Sequence, residues 1–338
     1  LSPVILEDLK FTKLEYGYVN AAFQAAYACG FLLMGWFIDR VGTRKGYSGA
    51  ITLWSIAAGL HALSSSWFTL AFWRGLLGLG ESGNFPAAIK AVTEWFPKRD
   101  RAFATGIFNA GTNVATMIGP PVFVWMNGHF GWRTCFFITA STGSICLLVW
   151  WLFYRVPREH SWVNADELAI IESDPEEQAG GRISWGRALR IRQTFGFALA
   201  KFFSDPVWWF YLTWLTLYFK EERHLSLEQI GWALPFIYLM ADFGSVAGGW
   251  VSGFLIRRGW PNGKARKVTM GCFALCMPVA ATAVAVPETW MAVVLISLAT
   301  AAHQGWSANL YTTVSDVFPK SAVASVTGIG GFLGGIGG

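Results

Sequence analysis

Long apolar stretches separated by short polar loops dominate the pattern of the chain. Stretches without Asp, Glu, Lys or Arg cover 16–38, 46–73, 102–132, 134–154, 268–287 and 289–315. Each can hold the roughly 20 residues that a helix needs to cross the hydrocarbon core of a bilayer. The pattern therefore predicts an all-α membrane protein with about ten full transmembrane helices. We place the helices near 16–38, 47–65, 67–93, 102–126, 132–154, 199–219, 228–256, 268–287, 290–313 and 321–338.

The composition supports the membrane interpretation. Hydrophobic residues make up 54% of the 338 residues and charged residues only 14%, with a mean hydropathy of +0.40. So few charges cannot coat a soluble globule of this size. The net charge of +5 therefore concerns membrane orientation, and no nucleic-acid partner is expected. The five cysteines lie in apolar segments and form no CxxC pair, so neither a disulfide nor a zinc framework is expected. No other metal and no cofactor is expected.

A polar, charged stretch divides the chain into two parts. We predict an N-terminal helical bundle over 1–154, a cytoplasmic linker over 155–193 and a C-terminal bundle over 194–338. TEWFPKRDRAFATG at 93–106 and SDVFPKSAVASVTG at 315–328 share several residues in register, which indicates duplicated halves, although chance similarity of two loops remains an alternative. Two repeated bundles with a site at their interface are typical of secondary transporters.

Basic residues are concentrated in the loops on one side of the predicted helices. They lie around 40–45, 98–101, 155–192, 257–267 and 320. The positive-inside rule makes this side cytoplasmic. Residues 1–10 look like the end of a preceding helix, and 338 falls within an apolar run, so we expect the chain to be incomplete at both ends.

Two charged residues, Arg74 and Glu81, interrupt the apolar segment FTLAFWRGLLGLGESGNFPAAIK. Seven residues correspond to almost two helical turns, so both side chains should point the same way, roughly 10 Å apart. Ionisable groups at membrane depth usually face a cavity, a partner charge or a substrate. Because a dry environment disfavours an ionised carboxylate, Glu81 could load and release a proton. A pair that only fixes helix packing is the alternative.

Several polar side chains repeat along the faces of other predicted helices. Asn109, Thr112, Asn113 and Thr116 follow the spacing i, i+3, i+4, i+7 and share one face. They could hydrogen-bond to a substrate or join neighbouring helices. His303, Gln304 and Ser307 are candidates of the same kind. Tyr211, Trp214 and Tyr218 form an aromatic stripe that could contact the substrate, although such stripes more often serve packing.

Two motifs resemble those of the major facilitator superfamily. GWFIDRVGTRKG at 35–46 resembles the loop between its second and third helices. The run at 72–121, from FWRGLLGLGESGNFP to TMIGPP, and WSANLYTTVSDVFPK at 306–320 resemble the anion:cation symporter family, within it the hexuronate (glucuronate and galacturonate) transporters. The similarity extends over essentially the whole chain. It implies two pseudo-symmetric six-helix bundles, here incomplete.

The resemblance also implies roles for individual residues. Glu81 corresponds to the family's proton-coupling carboxylate and Arg74 to its arginine partner, and Tyr27 occupies a position that faces the cavity. We also assign Asn84 to substrate binding. An Asp-Arg pair that the family's first helix normally supplies would precede Leu1, so its role cannot be placed on a residue of this chain.

A third group of residues is assigned to gating. The acid Asp39 ends its own helix, where a negative charge is unfavourable, so it should contact the N-terminus of another helix or loop arginines. By resemblance, that other helix begins just after Lys320. The other gating candidates are Arg40, Arg44, Lys90 and Asp316. Asp242, among glycines, is expected to be structural.

Together these observations predict a bacterial inner-membrane carrier that works by alternating access as a monomer. Its expected partners are a small sugar-acid anion, protons and the lipid bilayer. Aldonates such as galactonate, other small organic acids and inorganic phosphate remain alternative substrates, and a non-transporting nutrient sensor remains an alternative function. The chain contains neither HExxH nor GxSxG, so an enzyme is not expected.

Overall fold

The computed structural model describes residues 2–174 and 185–338, except for the side chains of Ser2, Pro3, Asn113, Trp185 and Leu227. This part of the chain is helical and contains no strand, which confirms the all-α prediction. The helices are α1 (Ser2–Leu9), α2 (Lys13–Val41), α3 (Thr43–Leu60), α4 (Trp67–Glu81), α5 (Asn84–Trp95), α6 (Lys98–Phe153), α7 (Ala165–Ile171), α8 (Trp185–Ala188), α9 (Arg192–Glu221), α10 (Leu227–Arg257), α11 (Asn262–Cys276), α12 (Val279–Thr282), α13 (Thr289–Val317) and α14 (Val323–Gly337). Short 3₁₀ turns cover His61–Leu63 and Pro157–Glu159.

The helix predicted over 67–93 is divided into α4 and α5 at Ser82 and Gly83. Pro86 has no N–H and therefore cannot bond to the carbonyl four residues earlier. At the same break, the Ser82 hydroxyl donates a 2.7 Å hydrogen bond to the Leu79 carbonyl. This break ends α4 at Glu81, so the predicted proton-binding residue lies at a helix terminus.

The helices predicted over 102–126 and 132–154 run into each other without a loop in α6. They meet at Gly131, whose φ of 75° lies outside the helical region. A positive φ is accessible to glycine at little cost, so the chain turns there. The helix predicted over 268–287 is observed as α11, which already ends at Cys276. Pro278 follows, and only the short α12 continues further along the chain.

Several helix pairs join the segment before the predicted linker to the segment after it. Helix α2 packs against α14, and α6 packs against α10. The α6–α10 contact is so close that a Cβ on Gly249 would lie 2.2 Å from the Ala102 carbonyl oxygen. Only glycine permits this approach.

By length and composition, three helices could cross a membrane among the residues that the structure describes: Lys13–Val41, Lys98–Phe153 and Glu228–Arg257. Large apolar side chains also cover much of the outer surface. Trp232, for example, is 72% exposed and Leu275 is 83% exposed. Such surfaces suit contact with acyl chains.

Candidate functional site

A cavity of about 660 Å³ lies between helices of both halves of the chain. Its walls come from α2 to α6 on one side and from α9, α13 and α14 on the other. It is lined by Tyr27, Phe31, Tyr47, Trp54, Glu81, Asn84, Phe85, Asn109, Thr112, Thr116, Lys201, Asp205, Trp208, Trp209, Leu212, His303, Gln304, Ser307, Tyr311 and Gly335. Aromatic walls with a few polar groups are typical of a small-molecule site.

Glu81 faces this cavity from the end of α4. Among the described residues, no hydrogen bond or ion pair holds its carboxylate. Arg74 is not part of the cavity wall, because its guanidinium lies over the Phe23 ring at 4.9 Å from the centroid. The structure therefore places Glu81 in the cavity but does not join it to Arg74. Their proton-coupling role remains a prediction.

The first half also contributes aromatic and amide groups to the wall. The Tyr27 ring stacks on Phe23 and meets Phe31 edge-on, with centroids 5.5 and 4.9 Å away. The Tyr47 hydroxyl donates a 2.6 Å hydrogen bond to Asn84 Oδ1. Tyr27 and Asn84 thus lie where substrate contact is possible, each held by a neighbour.

The polar stripe of α6 reaches the cavity at three of its predicted positions. Asn109 Nδ2 donates to Gln304 Oε1 of α13 at 3.2 Å, a contact between the two halves. Thr112 and Thr116 line the wall while their hydroxyls donate to carbonyls of the same helix. The fourth residue, Asn113, has a side chain outside the described part of the structure.

On α13, His303 and Ser307 also line the cavity. His303 Nε2 donates to the Ser204 carbonyl at 3.1 Å, because a carbonyl can only accept. Its ring stacks on Trp208, with centroids 5.7 Å apart. His303 is therefore fixed against α9, and its orientation is set by that helix.

The aromatic stripe of α9 is not brought to the site. Tyr211 is buried in an apolar cluster with Leu215 and Phe219, and Trp214 is 53% exposed. The cavity face of α9 instead carries Lys201, Asp205, Trp208, Trp209 and Leu212. The predicted residues fall on other faces of the helix, so this conformation gives no support for substrate contact through them.

One charged cluster on the cavity wall was not predicted from the sequence. Lys201 Nζ forms an ion pair with Asp205 Oδ1 at 2.7 Å and donates to the Tyr311 hydroxyl at 2.7 Å. The signal was present in the sequence as opposite charges four residues apart within the apolar run FALAKFFSDPVWWF. The argument applied to Arg74 and Glu81 would have identified it.

The gating candidates gather at the end of the molecule that carries the basic loops. The Asp39 carboxylate pairs with Lys90 at 2.8 Å and accepts backbone N–H groups of Ala324 and Ser325 at 3.3 and 2.7 Å. These amides belong to the first turn of α14. The expected contact between Asp39 and another helix N-terminus is thus confirmed, whereas its part in gating stays a prediction.

Asp316 occupies a corresponding place in the second half. It pairs with Arg266 at 3.0 Å and with Arg101 at 3.9 Å. Arg266 also donates to Ser252 Oγ and to the Lys98 carbonyl, both at 2.6 Å. Arg101, in turn, donates to the Ser315 carbonyl. The cluster ties α6 to α11 and α13.

The two remaining gating candidates do not bridge the halves. Arg40 lies over the ring of Trp36 in its own helix. Arg44 donates to the Trp151 carbonyl at 2.6 Å and lies over the Trp151 ring, which joins α3 to the end of α6. Asp242 is buried on α10, and its structural role stays a prediction.

Comparisons with known proteins agree with this architecture. The family model of the Major Facilitator Superfamily matches residues 1–338. The chain is 32% identical over 337 residues to the hexuronate transporter of Escherichia coli (strain K12), covering 98% of this chain and 78% of that protein. It is 29% identical over 346 residues to the D-galactonate transporter of E. coli O6:H1, covering 99% and 80%. The solved structure of the proton:xylose symporter XylE superimposes with a TM-score of 0.76 at 13% identity, covering 100% of this chain and 80% of that one.

Proposed function

This chain belongs to the Major Facilitator Superfamily and is an integral membrane transporter, not an enzyme, and we propose that it imports a sugar-acid anion together with protons. The proposed substrate is a hexuronate such as glucuronate or galacturonate. The proposed location is the bacterial inner membrane, where the carrier would act as a monomer.

The observation that carries the proposal is the charge of the cavity wall. Of the described residues that line it, Glu81 and Asp205 are acidic and Lys201 is basic. With Glu81 ionised, the wall has a net negative charge and repels an incoming anion. Proton binding to Glu81 removes that charge, so anion and proton favour each other's binding. Such mutual dependence is the thermodynamic basis of symport.

The uncharged groups of the wall suit a polyhydroxylated substrate. Amide and hydroxyl groups of Asn84, Asn109, Gln304 and Ser307 can exchange hydrogen bonds with sugar hydroxyls. The aromatic rings of Tyr27 and Trp208 offer flat apolar surfaces for the faces of a sugar ring. A cavity of about 660 Å³ is in the range of small-molecule sites and is large enough for a monosaccharide acid.

Alternating access would proceed by rocking the two halves around this cavity. The contacts of Asp39 with α14 and of Asp316 with Arg266 and Arg101 lie at the basic end, which the positive-inside rule assigns to the cytoplasm. In this proposal they form the closed cytoplasmic gate. Substrate would enter from the opposite side and leave once these contacts separate.

Uptake of an aldonate is the second candidate. The D-galactonate transporter matches the chain over nearly the same length as the hexuronate transporter, with 29% against 32% identity. Both substrate classes combine one carboxylate with several hydroxyls, and the wall offers partners to both. The slightly higher identity favours a hexuronate.

The test is uptake into proteoliposomes that contain the purified protein. Labelled glucuronate, galacturonate and galactonate are supplied with and without an inward proton gradient, and empty liposomes are the control. We expect a gradient to drive accumulation of a hexuronate, in preference to galactonate. Preference for galactonate would replace the hexuronate by an aldonate. Accumulation that ignores the gradient would contradict proton coupling, and binding without uptake would indicate a sensor.

A further inference from the structure

We propose that Lys201 binds the carboxylate of the substrate and that Asp205 weakens this binding by charge repulsion. The inference rests on the proposed function, in that the substrate is a sugar-acid anion. It assigns a specificity-determining group, Lys201, to the second half of the chain. The Asp205 carboxylate then competes with the substrate carboxylate for the Lys201 ammonium.

Lys201 has the position that an anion-binding group needs. It is the only lysine or arginine among the described residues that line the cavity, and it is only 5% exposed. An ammonium shielded from bulk water attracts an anion far more strongly than one at the surface, because the effective dielectric constant is lower. A sugar without a carboxylate gains nothing from this charge.

Lys201 also keeps binding capacity in this conformation. An ammonium group has three N–H donors. One is directed to Asp205 Oδ1 and one to the Tyr311 hydroxyl, each at 2.7 Å. The structure shows no acceptor for the third donor among the residues it describes. A substrate carboxylate could take this donor without displacing either existing partner.

Asp205 is held beside Lys201. Helix α14 approaches so closely that a Cβ on Gly334 would lie 2.0 Å from Asp205 Oδ2. The Asp205 side chain is 19% exposed and lines the cavity, so its charge acts on any anion bound to Lys201. Two carboxylates that share one ammonium repel each other, and neutralising Asp205 should therefore tighten substrate binding.

A purely structural role of the Lys201–Asp205 ion pair would lead to the opposite results. If Lys201 and Asp205 only stabilise α9 and its packing, loss of either charge leaves a buried partner unpaired and is harmful in both cases. Removal of both charges should then restore function, because a buried pair can often be replaced by neutral side chains without loss. The two single variants and the double variant together separate the two roles.

The experiment measures binding by purified wild-type protein and by the variants K201M, D205N and K201M/D205N. The ligands are glucuronate, galacturonate, galactonate and the uncharged methyl ester of the sugar acid that the wild type binds best. K220M is the matched control, because Lys220 is exposed near the other end of the same helix. Thermal unfolding of each variant reports on folding separately.

We expect K201M to weaken binding of the acid by about 10- to 100-fold, the value of a charge-assisted hydrogen bond. Binding of the methyl ester should change little, so the preference for the acid over its ester collapses. D205N should bind the acid several-fold more tightly. The double variant should remain as weak as K201M, and K220M should match the wild type.

Three results would overturn the inference. These are weaker binding by D205N, recovery of acid binding in the double variant, or an unchanged acid-to-ester preference in K201M. Each can occur in a protein that still binds a sugar acid, and would then leave the proposed function intact. If the wild type binds none of the three acids, the proposed function itself fails and the inference fails with it.

Discussion

The acids at the basic end of the molecule and the acid Glu81 in the cavity have very different surroundings. At the basic end, Asp39 accepts from Lys90 and from two backbone amides, and Asp316 is held by Arg266 and Arg101. In the cavity, the carboxylate of Glu81 has no such partner in the described part of the chain. Both regions lie within a largely apolar molecule.

This difference separates groups that hold a conformation from groups that can receive a ligand. A buried charge without a partner is costly, so the fold has satisfied the acids at the basic end with cations and helix amides. An acid that lines a cavity can instead be satisfied from outside, by a proton or by water. The comparison predicts that substitutions in the two regions impair different steps of transport.

The largest effect is expected for Glu81→Gln. Glutamine keeps the size and polarity of the side chain but cannot take up a proton, so proton-driven accumulation should be abolished while counterflow exchange of substrate continues. Both are measured in the same proteoliposomes. Glu221→Gln, at an exposed position at the end of α9, is the control and should behave as wild type. Proton-driven accumulation by the Glu81→Gln variant would contradict the assignment of Glu81 as the proton-binding residue.

A smaller but still large effect is expected for Arg266→Gln, which leaves Asp316 without its closest cation. Arg266 is 1% exposed, and breaking a buried ion pair typically costs about 3–5 kcal/mol. The closed state of the basic end should lose this stabilisation. Hydrogen–deuterium exchange of residues 98–106 and 245–253 should rise in the variant, while substrate remains able to bind. Unchanged exchange would show that the cluster does not hold α6 against its neighbours.

Asp39→Asn should have a milder effect on the same conformational equilibrium. Asparagine can still accept a hydrogen bond from the Ser325 amide, but it loses the charge that pairs with Lys90. We expect the turnover rate to fall by about tenfold or more, corresponding to a charge-assisted bond of about 1.5–3 kcal/mol, with little change in KM. A large change in KM with an unchanged rate would place Asp39 in substrate binding instead.

The smallest effect concerns an exposed ion pair in the stretch predicted to be the cytoplasmic linker. Arg158 donates to both carboxylate oxygens of Glu172, at 2.6 and 3.0 Å, and these bonds lower the pKa of Glu172 below its usual range. A lowered pKa in the folded state gives stability that is present above the ordinary pKa and is lost as the pH falls through the lowered value. Because the pair is exposed, the contribution is small.

The measurement for this pair is the thermal unfolding temperature of wild type and Glu172→Gln at several pH values. A small difference in favour of the wild type should be present at pH 7 and should disappear as the pH falls through the lowered pKa of Glu172, where the carboxylate becomes protonated. A difference as large as that for Arg266→Gln would mean that exposure does not distinguish the two pairs.

The cavity was only partly predictable from the sequence. Glu81, Asn109 and His303 were identified because a polar residue in an apolar helix is visible without a structure, and all three line the cavity. Tyr211 and Trp214 were chosen because they repeat with helical spacing, but they lie on other faces of α9. A helical period defines which residues share a face and leaves open which face meets the neighbouring helices.

The sequence by itself determined the all-α fold, the positions of most helices and the presence of charged groups at membrane depth. These features depend on hydrophobicity and spacing along one segment, which are local properties of the chain. Only the tertiary structure decided that Lys201 meets Tyr311, that Asn109 meets Gln304, and that the Arg74 guanidinium lies over the Phe23 ring. Such contacts depend on the rotation and separation of helices far apart in sequence, which are set by the packing of all of them together.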